Sequence, residues 1–91
     1  MSVTIHMPSM LRVYCGGAST LSLSAPTVRE ALQWLETNQP ALYRCVCDET
    51  GAVRRHVNLF VNSYNIRDYE GLDMSLKPGD ILTILPAVSG G

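Results

Sequence analysis

The spacing of the hydrophobic residues changes from a two-residue to a helical period and back again, and this order constrains the fold more than any single motif. Val3, Ile5 and Met7 alternate with Thr4 and His6, the rhythm of a strand with one buried face. Leu21 and Leu23 repeat it among Thr20, Ser22 and Ser24, with Gly16-Gly17 between the two runs, so an antiparallel hairpin with a loose loop is expected. Val28, Ala31, Leu32 and Leu35 then fall at i, i+3, i+4 and i+7, which puts them on one side of a helix. Alternation returns in Val57, Leu59 and Val61, and again in Leu82 and Ile84.

Boundary signals agree with these periods. Thr27-Val28-Arg29-Glu30 has the form of a capping box, in which the Thr hydroxyl accepts from an amide three residues on and the Glu reaches back. Pro40 ends that helix, because the residue before a proline avoids helical geometry. Trp34 falls off the apolar stripe and is expected to cap the edge of the core, while Ala41 to Cys45 suit one further short turn of helix. Asp48-Glu49-Thr50-Gly51 reads as a polar loop. Leu76-Lys77-Pro78-Gly79-Asp80 places proline and glycine where a type II turn requires them and launches Ile81 to Leu85 as a last strand. Thr83, Leu85 and Phe60 then point away from the core.

With 91 residues and 46% hydrophobic content, there is enough for one core and too little for two. Two strands, a helix and two or more strands need the helix to cover one sheet face. Placing the first and last strands side by side in parallel gives an α+β chain of the β-grasp, or ubiquitin-like, class. The expectation is a mixed sheet of four to five strands packed on one main helix. The domain spans residues 1–85, followed by an extended tail over 86–91.

Seven basic and eight acidic residues leave a net charge of -1, with no electrostatic footprint for nucleic acid or an anionic membrane. No apolar run approaches the ~20 residues of a membrane span, and Met1 to Ile5 lack the form of a signal segment, so a cytoplasmic location is expected. Cys15, Cys45 and Cys47 are an odd set and are expected as free thiols that pack rather than react. Cys45-Val46-Cys47 lacks the two-residue spacer of a zinc site, so no metal is expected. His6 and His56 have no neighbouring serine, cysteine or carboxylate motif that would complete a catalytic set, and the chain is not expected to be an enzyme.

The last residues are Pro86-Ala87-Val88-Ser89-Gly90-Gly91. Pro86 removes a ladder donor and is expected to release the chain from the sheet. Residues without Cβ can thread a narrow cleft and bring backbone close to a nucleotide. A carboxylate is a poor acyl donor, its mixed anhydride with AMP is a good one, and a sulfur nucleophile can displace AMP to leave a thiocarboxylate.

Taken together, this tail, the Lys77-Pro78-Gly79-Asp80-Ile81-Leu82 entry to the last strand and Val57-Asn58-Leu59-Phe60-Val61-Asn62 resemble the ThiS/MoaD family of sulfur carriers. The resemblance covers essentially the whole chain. It implies a β-grasp fold and activation of Gly91 by an E1-like adenylyltransferase that uses ATP, with no cofactor bound by the carrier itself. Gly91 would carry the sulfur, and Gly90, Ser89, Val88 and Ala87 would thread the partner's active site. The stretches Ile84 to Gly91 and Arg55 to Asn62 look closest to carriers serving cysteine biosynthesis, where a sulfhydrylase consumes the thiocarboxylate and a JAMM-type metallopeptidase trims the adduct. Carriers for molybdopterin synthase, thiamine or siderophore sulfur are alternatives, as are covalent protein tagging and a non-catalytic interaction module. Phe60 and Leu85 are expected to form an apolar docking patch, unless the segment from Ser63 to Ser75 covers them.

Overall fold

The computed structural model describes residues 2–86; the five tail residues 87–91, including the candidate Gly90 and Gly91, lie outside the described residues. Strand β1 (Val3–His6) leads through a 3-10 helix (Ser9–Cys15) into β2 (Thr20–Leu23), followed by α1 (Val28–Asn38) and α2 (Pro40–Val46). Strands β3 (Val57–Val61) and β4 (Tyr64–Asn65), two further 3-10 turns (Ile66–Asp68, Gly71–Asp73) and β5 (Ile81–Pro86) complete the chain. The sheet order is β2-β1-β5-β3-β4, with β1 and β5 parallel and the other neighbours antiparallel. This is the expected β-grasp arrangement with five strands.

The two periods produce one core. Val3, Ile5 and Met7, then Val57, Leu59 and Val61, then Leu82 and Ile84 are buried on one sheet face. Val28, Ala31, Leu32 and Leu35 bury the facing side of α1. Thr27 caps that helix, its hydroxyl accepting from the Glu30 amide at 3.2 Å, which is half of the expected box. Asn38 ends α1, and Pro40 stands at the first position of α2, where its missing N–H costs nothing. Trp34 packs partly buried against the core, as its place off the stripe predicts.

Gly79 has φ +90° and the Asp80 amide donates to the Lys77 carbonyl at 2.9 Å, so the turn into β5 has the expected type II form. Asn62, the one non-glycine with positive φ among the described residues, ties this turn to the β3–β4 corner. Its Nδ2 donates to Asp80 Oδ1 at 3.1 Å and its Oδ1 accepts from the Ile81 amide at 3.0 Å.

Three local features differ from expectation. The β1–β2 connection is not a loose loop. Residues Ser9–Cys15 form a 3-10 helix that buries Leu11 and Cys15 and that Gly16 closes at φ 69°. The stretch after Val61 contains β4, two residues paired back onto Phe60 and Val61. Pro86 remains in β5 opposite Val57. The Asp80 carbonyl accepts from Thr4 and the Ile81 carbonyl from Asn62, so even-numbered residues of β5 turn their main-chain groups toward β1. The Pro86 nitrogen therefore faces the side where β1 has already ended at His6, and no ladder bond is lost. Among the described residues, no helix is long and apolar enough to cross a membrane.

Candidate functional site

Strand β5 runs through the middle of the sheet and carries two different faces. Leu82 and Ile84 are wholly buried, whereas Ile81 and Leu85 are each 44% exposed on the opposite side. Phe60 lies on that same outer face of β3, half-buried. It pairs with Thr83, and Leu85 pairs with Asn58, so Phe60 and Leu85 are diagonal neighbours, about 7–8 Å apart at Cα for such a pair. The structure thus brings the two expected patch residues together and leaves Leu85 open.

One edge of the patch is held by arginines. Arg67 Nη1 donates to Asn58 Oδ1 at 2.7 Å, and its Nη2 donates to the Arg54 carbonyl at 2.9 Å. Arg54 Nε in turn donates to the Arg44 carbonyl at 2.9 Å. These bonds use the guanidinium groups to fasten the segment before β3 and set their positive charge beside the outlet of β5.

That outlet has a second wall. Pro8 starts the first 3-10 helix, its carbonyl accepting from the Leu11 amide at 3.0 Å. Leu11 and Cys15 face the core, and this leaves Met10 (55%), Val13 (76%) and Tyr14 (44%) exposed. Met10 and Tyr14 line a shallow hollow of about 410 Å³ together with Cys45, Arg54, His56 and Pro86. The chain passes this hollow on its way to residues 87–91. Sequence reasoning missed Met10 and Tyr14. Leu11 and Cys15, four residues apart between Pro8 and Gly16, are the signal that finds them.

The cysteines are unpaired, and Cys15 and Cys47 are buried. Cys15 Sγ sits 3.5 Å from Met7 Sδ, in packing contact. Burial pushes the Cys47 thiol up to about 11, with its hydrogen bond to the Tyr43 side chain pulling the other way. It therefore stays protonated at neutral pH and is a poor nucleophile. A rigid strand flanked by apolar and basic surface is suited to docking against another protein.

Residues 13–91 match the model of the ThiS family. The chain belongs to that family. It is 37% identical to the sulfur carrier protein CysO of Mycobacterium tuberculosis over 93 aligned residues, covering all of both chains. One chain of the Amycolatopsis orientalis BexX/CysO complex matches with a TM-score of 0.88 and 35% identity, over 98% of this chain and 99% of that one. The small archaeal modifier protein 1 of Methanosarcina acetivorans matches with a TM-score of 0.87 and 32% identity, over 99% and 96%. Membership and fold are thereby settled, and the relatives of this ThiS-family chain are carrier and modifier proteins.

Proposed function

We propose that the chain is a sulfur carrier in cysteine biosynthesis whose working group is the Gly91 carboxylate. The observation that carries this reading is the 37% identity to sulfur carrier CysO over the full length of both chains, joined to a sequence that closes on Gly90-Gly91. An E1-like enzyme binds ATP, the Gly91 carboxylate attacks the α-phosphorus, and pyrophosphate leaves. Sulfide then adds to the acyl carbon and expels AMP, leaving the thiocarboxylate; a persulfide donor would give the acyl disulfide, which a thiol then reduces to the same product. On a sulfhydrylase the thiocarboxylate sulfur displaces the leaving group from the β-carbon of an activated serine, the carrier's acyl group shifts from sulfur to the amino nitrogen, and a JAMM-type peptidase hydrolyses that amide to release cysteine and restore the Gly91 carboxylate.

In this scheme the fold supplies binding and the tail supplies reach. Phe60 and Leu85 dock the activating enzyme, and residues Ala87 to Gly90 thread its cleft. Intact-mass analysis after incubation with ATP, the cognate activating enzyme and a sulfur source tests it. The expected product shows the mass increase of one oxygen replaced by sulfur, absent in a Gly90→Val chain that still folds. An unchanged mass for the wild-type chain would overturn the reading. The likeness to small archaeal modifier protein 1 favours a second outcome, transfer of the activated glycine to lysines. Ladders of conjugates in the same experiment would identify it.

A further inference from the structure

We infer that the first 3-10 helix and Pro86 form a second docking surface, distinct from the Phe60–Leu85 patch. Its occupant is the lip of the activating enzyme's tail-binding cleft, an apolar ridge carrying a carboxylate. The inference rests on the reading that Gly91 reacts inside a partner's cleft.

Chain length makes the contact obligatory. Five residues separate Pro86 from the end of the sequence, and five residues span at most about 18 Å when fully extended. For Gly91 to meet a nucleotide in an enclosed site, the mouth of that site must close on the end of the sheet where Pro86 leaves it. The surface around Pro86 is therefore covered whenever the tail is engaged.

What stands there is suited to being covered. Met10 and Tyr14 expose 55% and 44% of their surface beside Pro86, while Leu11 and Cys15 on the inner side of the same 3-10 helix already anchor it to the core. The outward pair is thus surplus to folding, and neighbouring exposed apolar side chains mark contact surfaces. Arg54 and His56 line the same hollow, and among the described residues no carboxylate does. This composition selects an acidic, apolar partner surface over a basic one. Leu85 and Pro86 are consecutive, so the hollow and the sheet patch meet at the end of β5. An enzyme that grips both holds the tail at a fixed distance and angle.

Pyrophosphate release by the cognate activating enzyme, measured with the full-length chain, tests the inference. The pair Met10→Ser/Tyr14→Ser is expected to raise KM for the carrier about tenfold or more with kcat little changed, because it removes binding remote from the reacting carboxylate. Met10→Gln alone should shift KM in the same direction by less. Tyr64→Ser/Tyr69→Ser strips a comparable exposed aromatic pair from the opposite end of β3 and should leave KM at the wild-type value. An unchanged KM for the Met10/Tyr14 pair, in a wild-type chain that is adenylated, would overturn this inference and leave the carrier reading standing. A lowered KM would mean that the hollow holds the chain's own tail and would overturn it as well. If the wild-type chain releases no pyrophosphate, both readings fall together.

Discussion

Asp80 shows how one side chain joins two turns. Its Oδ2 accepts from the Lys77 amide at 2.9 Å and its Oδ1 from Asn62 Nδ2 at 3.1 Å, while its carbonyl accepts from Thr4. The two bonds to the carboxylate, that from the Lys77 amide foremost, hold it below its ordinary value of 3.8. A carboxyl whose folded value is depressed stabilises the native state above its unfolded value, and that contribution is lost as pH falls through the folded one. Asp48, held down chiefly by Thr50, adds to the same acid limb. Urea titrations below neutral pH should therefore show stability falling with acid from about the ordinary carboxyl range downward. Asp80→Asn should be less stable at pH 7 and show a shallower acid limb. Beside it, Gly79 holds φ +90° with open space where a Cβ would stand. Gly79→Ala thus meets backbone strain without a clash, and thermal unfolding should register a loss of about 1–2 kcal/mol. A loss near zero would mean that the turn relaxes to another type.

Strand β5 divides a buried face from an open one across its own thickness, and paired substitutions can read the two faces independently. Leu82→Ala opens a cavity at a wholly buried position and should cost about 2–5 kcal/mol, a large part of the ~5–15 kcal/mol that holds a domain folded. Leu85→Ala, three residues on and half open to solvent, should cost under about 1 kcal/mol yet weaken binding to the activating enzyme. Equal effects on stability, read from denaturant midpoints, would contradict the two-faced assignment. This division was legible in the sequence, because period-two alternation states which side chains share a face. The helix α1 was legible for the same reason, with its stripe, its Thr27 cap and its Pro40 stop all agreeing. The diagonal offset of Phe60 from Leu85 was not, since register depends on the turns at either end and on Asn62's hold on Ile81. Strand β4 was hidden because two residues carry no period. The 3-10 helix was hidden by Gly16-Gly17, which signal a loop whether or not a helix precedes them. With it went Met10 and Tyr14, whose exposure follows only once Leu11 and Cys15 are known to turn inward. The tail residues 87–91 were read from composition and chemistry alone.

Across the whole molecule, protection should fall from the centre of the sheet to its edges. Strand β5 has a neighbour on each side, whereas β2 is paired only through β1. The Met7 amide donates to the Ser19 carbonyl, so by alternation Leu21 and Leu23 face β1 and Thr20 and Ser22 turn their amides to the open edge. Native-state hydrogen exchange should find Leu82 to Leu85 slowest and Thr20 and Ser22 fast, alternating with Leu21 and Leu23. Slow exchange at all four β2 residues would reveal a further strand paired on that edge. The parallel pairing of β1 with β5 has a mechanical consequence. The two strands point the same way, so the first described residues and Pro86 sit at opposite ends of the sheet. A pull on the tail against a held amino end loads the β1–β5 ladder in shear, so that its bonds resist together instead of parting one after another. In the proposed carrier role, the end offered to enzymes is thereby the end from which the fold is hardest to unravel.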